Sequence, residues 1–156
     1  MFGENNNSKK AYASLCATIE KMGVKYKKDE NELAVYLSVT GDDLPMDMVI
    51  YVDEKTQTAK LISPLPFKMS ENKRIEGAIA ACVASYALAD SNFDFDFKTG
   101  KIVFRISTSF IDSVIGEEVF EYMISCAYAV IDRYNEMFLA IDRDILSISK
   151  FIDAVM

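Results

Sequence analysis

The chain has no histidine and no tryptophan, and its 156 residues include only three cysteines, three prolines and six glycines. Without histidine there can be no Ser-His-Asp or Cys-His catalytic set and no histidine-rich metal cluster. The cysteines, Cys16, Cys82 and Cys126, are odd in number and far apart. Each lies in a helix-like segment among apolar neighbours, so they read as small buried hydrophobes rather than disulfide partners or reactive thiols. The glycines form no phosphate-binding loop. No apolar run approaches the roughly 18 residues needed to cross a bilayer. The opening "MFGENNNSKK" has no charged start followed by an apolar core, so no signal peptide is read and a cytoplasmic protein is expected. Positive charge is also scarce: 24 acidic residues face 17 basic ones, for a net charge of −7. That balance repels phosphate backbones and anionic membrane surfaces, so neither nucleic acid nor membrane is expected as a partner. The one basic cluster, Lys21, Lys25, Lys27 and Lys28, reads as the solvated end of a helix.

What is present is a single domain's worth of patterned sequence, long enough to bury roughly 70% of its unfolded surface. Residues 1–7 read as a disordered tail and residues 8–156 as one domain. From Ser8, a candidate N-cap, apolar residues at Tyr12, Leu15, Cys16, Ile19 and Met22 mark an amphipathic helix that Gly23 ends. The period then becomes two: Leu33, Val35, Leu37 and Val39 alternate with Ala34, Tyr36 and Ser38, and "MDMVIYV" and "AKLIS" follow as further strands of an antiparallel meander. Pro64 and Pro66 lack donors, so "PLPFKMS" is expected to leave the sheet as an extended connection. The second helix, about "ENKRIEGAIAACVASYALAD", is small and apolar around much of its circumference. Such a helix can bury one side on the sheet and offer the other to a partner subunit.

"FDFDFKTGKIVFRIS" reads as a hairpin. An even loop pairs Phe97 with Ile102, Phe95 with Phe104 and Phe93 with Ile106, keeping one face apolar. In that register Asp94 lies opposite Arg105 as a cross-strand ion pair, which makes Asp94 and Asp96 a wet face rather than working carboxylates. The same acids could imitate a calcium loop through Asp90, Asn92 and Asp94. Phe95 and Lys101 occupy the positions where the turn glycine and the bidentate glutamate belong, so no calcium is expected. The other acidic pairs also have structural explanations: Asp42 with Asp43 in a turn, Glu117 with Glu118 at a helix start, Asp142 with Asp144 on a helix flank. No catalytic residue, cofactor or metal is therefore assigned, and the protein is expected not to be an enzyme.

The C-terminal region carries a heptad-like stripe from Phe120 to Val155 without glycine or proline. As one helix it would be about 60 Å long, against roughly 40 Å for a domain of this size. Either the helix bends near "AIDRDILS", with Ser147 capping a short last helix, or the overhang pairs with a second chain through Ile145, Ile148 and Ile152. The bend is favoured because Asp142 and Asp144 flank the stripe with like charge. If Leu33, Leu37, Phe95 and Phe104 face the helices, the opposite sheet face presents Tyr36, Val49, Tyr51, Ile62, Val103 and Arg105. An amphipathic, aromatic-bearing face of that kind suits a protein partner.

The order helix, three strands, helix, two strands, helix resembles the YbjN family, the bacterial "sensory transduction regulator" domain with a type III secretion chaperone-like fold. The resemblance runs from about Ser8 to Phe151 and is sharpest in "GKIVFRISTSF", "EEVFEYMISCAYAVIDRYNEMFLAI" and "SISKFI". It implies an α+β fold, a five-stranded antiparallel sheet with helices packed on it plus a short C-terminal helix. It also implies a non-enzymatic, dimer-forming bacterial regulator or chaperone-like adaptor. The alternative is a small-molecule sensor, with a pocket between sheet and C-terminal helix lined by Tyr122, Met123 or Tyr134.

Overall fold

Gly23, at φ +67°, ends the first helix of the computed structural model, which describes residues 6–156. That helix, α1 (Asn6–Met22), begins two residues before Ser8, which is buried inside its first turns rather than capping it. The expected tail therefore shrinks: Asn6 and Asn7 are helical, and the rest of it lies outside the described residues. The chain continues through β1 (Tyr26–Asp29), β2 (Ala34–Thr40), β3 (Pro45–Asp53) and β4 (Thr58–Lys68). A short 3-10 turn (Glu71–Lys73) then leads into α2 (Arg74–Tyr86), followed by the hairpin β5 (Ser91–Asp96) and β6 (Lys101–Ser109). Two helices, α3 (Glu117–Asp142) and α4 (Ile148–Val155), complete the order.

The strands form one antiparallel sheet in the order β1-β2-β3-β4-β6-β5. It has six strands where the sequence indicated five. The additional strand is β1, which contains Lys27 and Lys28 of the supposed helix end. Its two adjacent lysines hide any alternation, and a short lysine-bearing strand is a usual way to blunt a sheet edge. Leu33, expected within β2 facing the helices, sits just before it in a turn at φ +48°.

Pro64 and Pro66 do not end the fourth strand. Pairing of β4 with β3 stops at Ile62, and its register with β6 shifts between Pro64 and Lys68, so the prolines occupy a stretch where the ladder is already interrupted. The hairpin keeps the expected faces but slides by two residues: Phe93 pairs with Phe104, Phe95 with Ile102 and Asp94 with Val103. The cause is a longer turn. The Asp96 carboxylate accepts from the Lys98 amide at 2.9 Å and the Thr99 hydroxyl at 2.6 Å, and Gly100 closes the turn at φ +77°. Phe97, expected opposite Ile102, is consequently in the turn and exposed.

Alternation then sorts the strands into two faces. Val35, Leu37, Met48, Ile50, Leu61, Phe104 and Ile106 lie buried on one. On that face α1 packs over β2 and β3, α3 over β4 and β6, and α2 against β5. The small residues Gly77, Ala80, Ala81 and Ala84 form the buried side of α2, and a Cβ on Gly77 would meet Met69 Cγ at 2.7 Å. Ser85 seals the β5 edge, its hydroxyl accepting from the Phe93 amide at 2.9 Å and donating to the Phe93 carbonyl at 3.4 Å. The other side of α2 leaves Ile75, Ile79, Cys82 and Tyr86 exposed. Cys82 thus departs from the expected buried role, whereas Cys16 and Cys126 are half-buried. Burial pushes the Cys126 thiol up, away from thiolate chemistry.

The long C-terminal stripe is broken as the charge pattern favoured. The first helix of the pair, α3, ends at Asp142, Asp144 takes φ +57°, and the Ser147 hydroxyl accepts from the Lys150 amide to cap α4. Phe151 turns back into an aromatic cluster with Tyr134 and Phe138, and Phe93 meets both of those rings edge-on. The overhang that would have needed a second chain is absent. Ile148 and Ile152 are half-buried in the protein's own fold, and Ile145 remains exposed.

Candidate functional site: the open face of the sheet

All six residues expected to face a partner do lie on one side of the sheet, opposite the helices. Register sets their relation. Tyr36 pairs with Val49, Val49 with Ile62, and Ile62 with Arg105, so these four form a continuous row across four strands. Lys27 extends the row onto β1 and Asn92 onto β5. Tyr51 and Val103 stand in flanking rows, opposite Lys60 and Pro64. Tyr36 is 47% exposed, and Val49, Tyr51, Ile62 and Val103 are half-buried by their lateral neighbours alone.

Polar groups frame this apolar band. On one side the Arg105 guanidinium donates to Asp94 at 3.0 Å, although the shifted register makes the pair diagonal rather than directly opposed. Asn92 also donates to Asp94, at 2.6 Å, so Asp94 is engaged in a solvent-facing network. On the other side Lys60 lies over the Tyr51 ring at 5.7 Å and pairs with Asp53 at 3.3 Å. The Ser38 hydroxyl donates to Asp47 at 2.5 Å.

The face is not flat. Because β4 leaves β3 after Ile62, a hollow of about 650 Å³ opens there. Tyr36, Val49 and Pro64 line it, with Ser38 and Asp47, and Lys25 and Lys27 stand on the β1 side. These additional residues were only partly legible. Period-two alternation puts Ser38 and Asp47 on the same face as Tyr36 and Val49. The lysines were hidden by the helix-end reading, and Pro64 by its reputation as a strand breaker.

The residues expected to line a pocket between sheet and C-terminal helix differ in exposure. Tyr134 and Met123 are buried in packed core, and Tyr122 is an exposed residue whose hydroxyl donates to Asp90 at 2.5 Å. That bond to a carboxylate pushes the Tyr122 phenol up to about 12. A second hollow of about 260 Å³ lies by Leu33, Tyr51 and Lys55, and neither hollow is lined by Tyr122, Met123 or Tyr134.

In two of the three acidic pairs, carboxylates are engaged in local contacts. The Glu117 carboxylate pairs with Lys21, Asp142 accepts from the Ser70 amide at 2.6 Å, and Asp144 pairs with Lys73 at 2.5 Å. Asp132 accepts from the Asp42 amide at 3.0 Å. Among the described residues no cluster of three or more acidic or cysteine side chains is placed to hold a metal ion. No described helix is long and apolar enough to cross a membrane.

No family model matches the sequence, and no curated protein matches it either. Among solved structures, the chain is similar to YbjN from E. coli, a candidate transcription regulator. The likeness has a TM-score of 0.59 at 15% identity and spans 81% of this chain and 92% of that one. A chain of the ExsC-ExsE complex is similar at a TM-score of 0.55 and 15% identity, over 81% of this chain and 93% of that one. At such identity the shared property is the fold. The α+β, YbjN-like and type III secretion chaperone-like architecture expected from the sequence is the one the chain adopts, with a sixth strand added.

Proposed function

We propose that this protein is a non-enzymatic interaction module of the bacterial cytoplasm, a regulator or chaperone-like adaptor that binds a segment of a partner protein on the open sheet face. The observation that carries this reading is the row Tyr36, Val49, Ile62 and Arg105, an apolar band with a cationic end that none of the described helices covers. Uncovered apolar bands rimmed by polar groups mark interaction surfaces. The likeness to a chain from a two-protein complex supports the same class of role. The test is co-purification of the tagged protein from its native extract, in parallel with Tyr36→Asp and Ile62→Asp variants. A stoichiometric partner retained by the parent and lost by both folded variants is expected. A partner retained equally by all three would overturn the reading.

A homodimer is the second partner expectation, and the exposed strip of α2 fits it better than Ile145, Ile148 and Ile152. Ile75, Ile79, Cys82 and Tyr86 follow the four-three-four spacing of a helix-packing seam. Light scattering should give twice the chain mass for the parent and the single mass for Ile79→Glu. A parent that runs as a monomer at high concentration would remove the dimer.

A further inference from the structure

The hollow in the open face is locally positive, against the sign of the whole chain. The chain carries a net −7, yet the hollow is bordered by two lysines, Lys25 and Lys27, against one carboxylate, Asp47. Both lysines are exposed, and neither forms an ion pair among the described residues. Asp47 is already engaged by the Ser38 hydroxyl. The floor between them is apolar: the Tyr36 ring, Val49 and Pro64.

We infer that the hollow takes an extended segment of a partner protein in which a large apolar side chain stands two residues from an aspartate or glutamate, so that both face the sheet. The apolar side chain enters between Tyr36 and Pro64, and the carboxylate on the same side of the segment meets Lys25 and Lys27. Charge complementarity selects the acid. A basic segment would be drawn to most of this surface but would meet the two lysines at the point of insertion, whereas an acidic one is repelled elsewhere and admitted only there. The inference rests on the open-face reading and adds to it the chemistry of the occupant.

The test uses the whole chain and a displayed library of random peptides, with Tyr36→Asp and the double variant Lys25→Glu with Lys27→Glu as comparators. All three positions are exposed, so the variants should fold, which circular dichroism checks. The parent should enrich peptides that place Phe, Leu, Ile or Met two residues from Asp or Glu. Anisotropy of the synthesised peptides should show binding weakened by about tenfold or more in the charge-reversed double variant. Replacing the peptide's acid by Lys should restore binding to that variant. Enriched peptides that need Tyr36 but show no acidic preference and bind the charge-reversed protein unchanged would overturn this inference while leaving the open-face reading intact. An absence of any peptide sensitive to Tyr36→Asp would remove both. A preference for apolar carboxylates as free small molecules, with no peptide enriched, would overturn the partner assignment.

Discussion

The two faces of the sheet are produced by the same strands and the same alternation, yet they do different work. On the covered face Leu61 and Phe104 are completely buried under α3, and Phe93 packs on Phe104, Tyr134 and Phe138. On the open face the intervening residues, Tyr36, Val49 and Ile62, are also apolar, but they stay half-buried or exposed beside their strand neighbours. Alternation therefore gives two apolar surfaces, and the helices distinguish them by covering only one. Stability should reside on the covered face and recognition on the open one. Substitution can separate the two roles.

The sharpest contrast comes from one aromatic on each side. Phe138→Ala removes a ring fully enclosed by Phe93, Tyr134 and Phe151. It should cost about 3–5 kcal/mol and lower the melting temperature by roughly 6–20 °C. Tyr36→Ala should cost about 1 kcal/mol or less, as surface substitutions do, while weakening partner capture. Thermal unfolding of the two variants decides the matter. Comparable losses would mean that the open face is part of the core's cooperative packing and not a free surface.

Next in size is Gly100→Ala, which asks how the faces are kept in register. Gly100 has φ +77°, and a Cβ there would fall 2.2 Å from the Met69 carbonyl oxygen, a backbone atom that cannot swing aside. The Met69 amide donates to the Gly100 carbonyl at 2.8 Å, tying the β5–β6 turn to the end of β4. The substitution should cost about 1–3 kcal/mol. It should also speed hydrogen exchange at the Met69 amide ahead of amides in the centre of β4. Unchanged protection at Met69 would show that the turn does not anchor the sheet's irregular end.

How far the sequence reveals this organisation depends on the range of the signal. Helix and strand periods are local, so α1, the meander, the hairpin's faces and the bend before Ser147 were all legible. The grouping of Tyr36, Val49, Ile62 and Arg105 was legible too, because alternation plus antiparallel order fixes which side chains share a face. The features that depended on distant partners were not. Strand β1 exists because β2 offers it an edge, since "YKKD" alone carries no alternation. The prolines are tolerated because β3 releases β4 after Ile62 and the β6 register breaks after Pro64. The same release opens the hollow, so its lining could not be read without the registers. The hairpin slipped by two because the Asp96 side chain, rather than the apolar pattern, sets the length of the turn.

The smallest predicted effect tests where the open face ends. Asp94 and Arg105 are both 45% exposed and meet at 3.0 Å. A cross-strand ion pair of that kind should give a coupling of about 0.2–0.5 kcal/mol in a double-mutant cycle of Asp94→Ala and Arg105→Ala. High salt should abolish it, because exposed pairs are screened beyond a few ångströms at molar ionic strength. The weakness matters for function. A guanidinium held this loosely can be drawn from Asp94 by an acidic group on a partner, which would keep Arg105 in the proposed recognition row. A coupling well above about 1 kcal/mol that survives salt would mean that Asp94 and Asn92 hold Arg105 in place. The row would then end at Ile62, and the hollow beside β1 would be left as the cationic part of the open face.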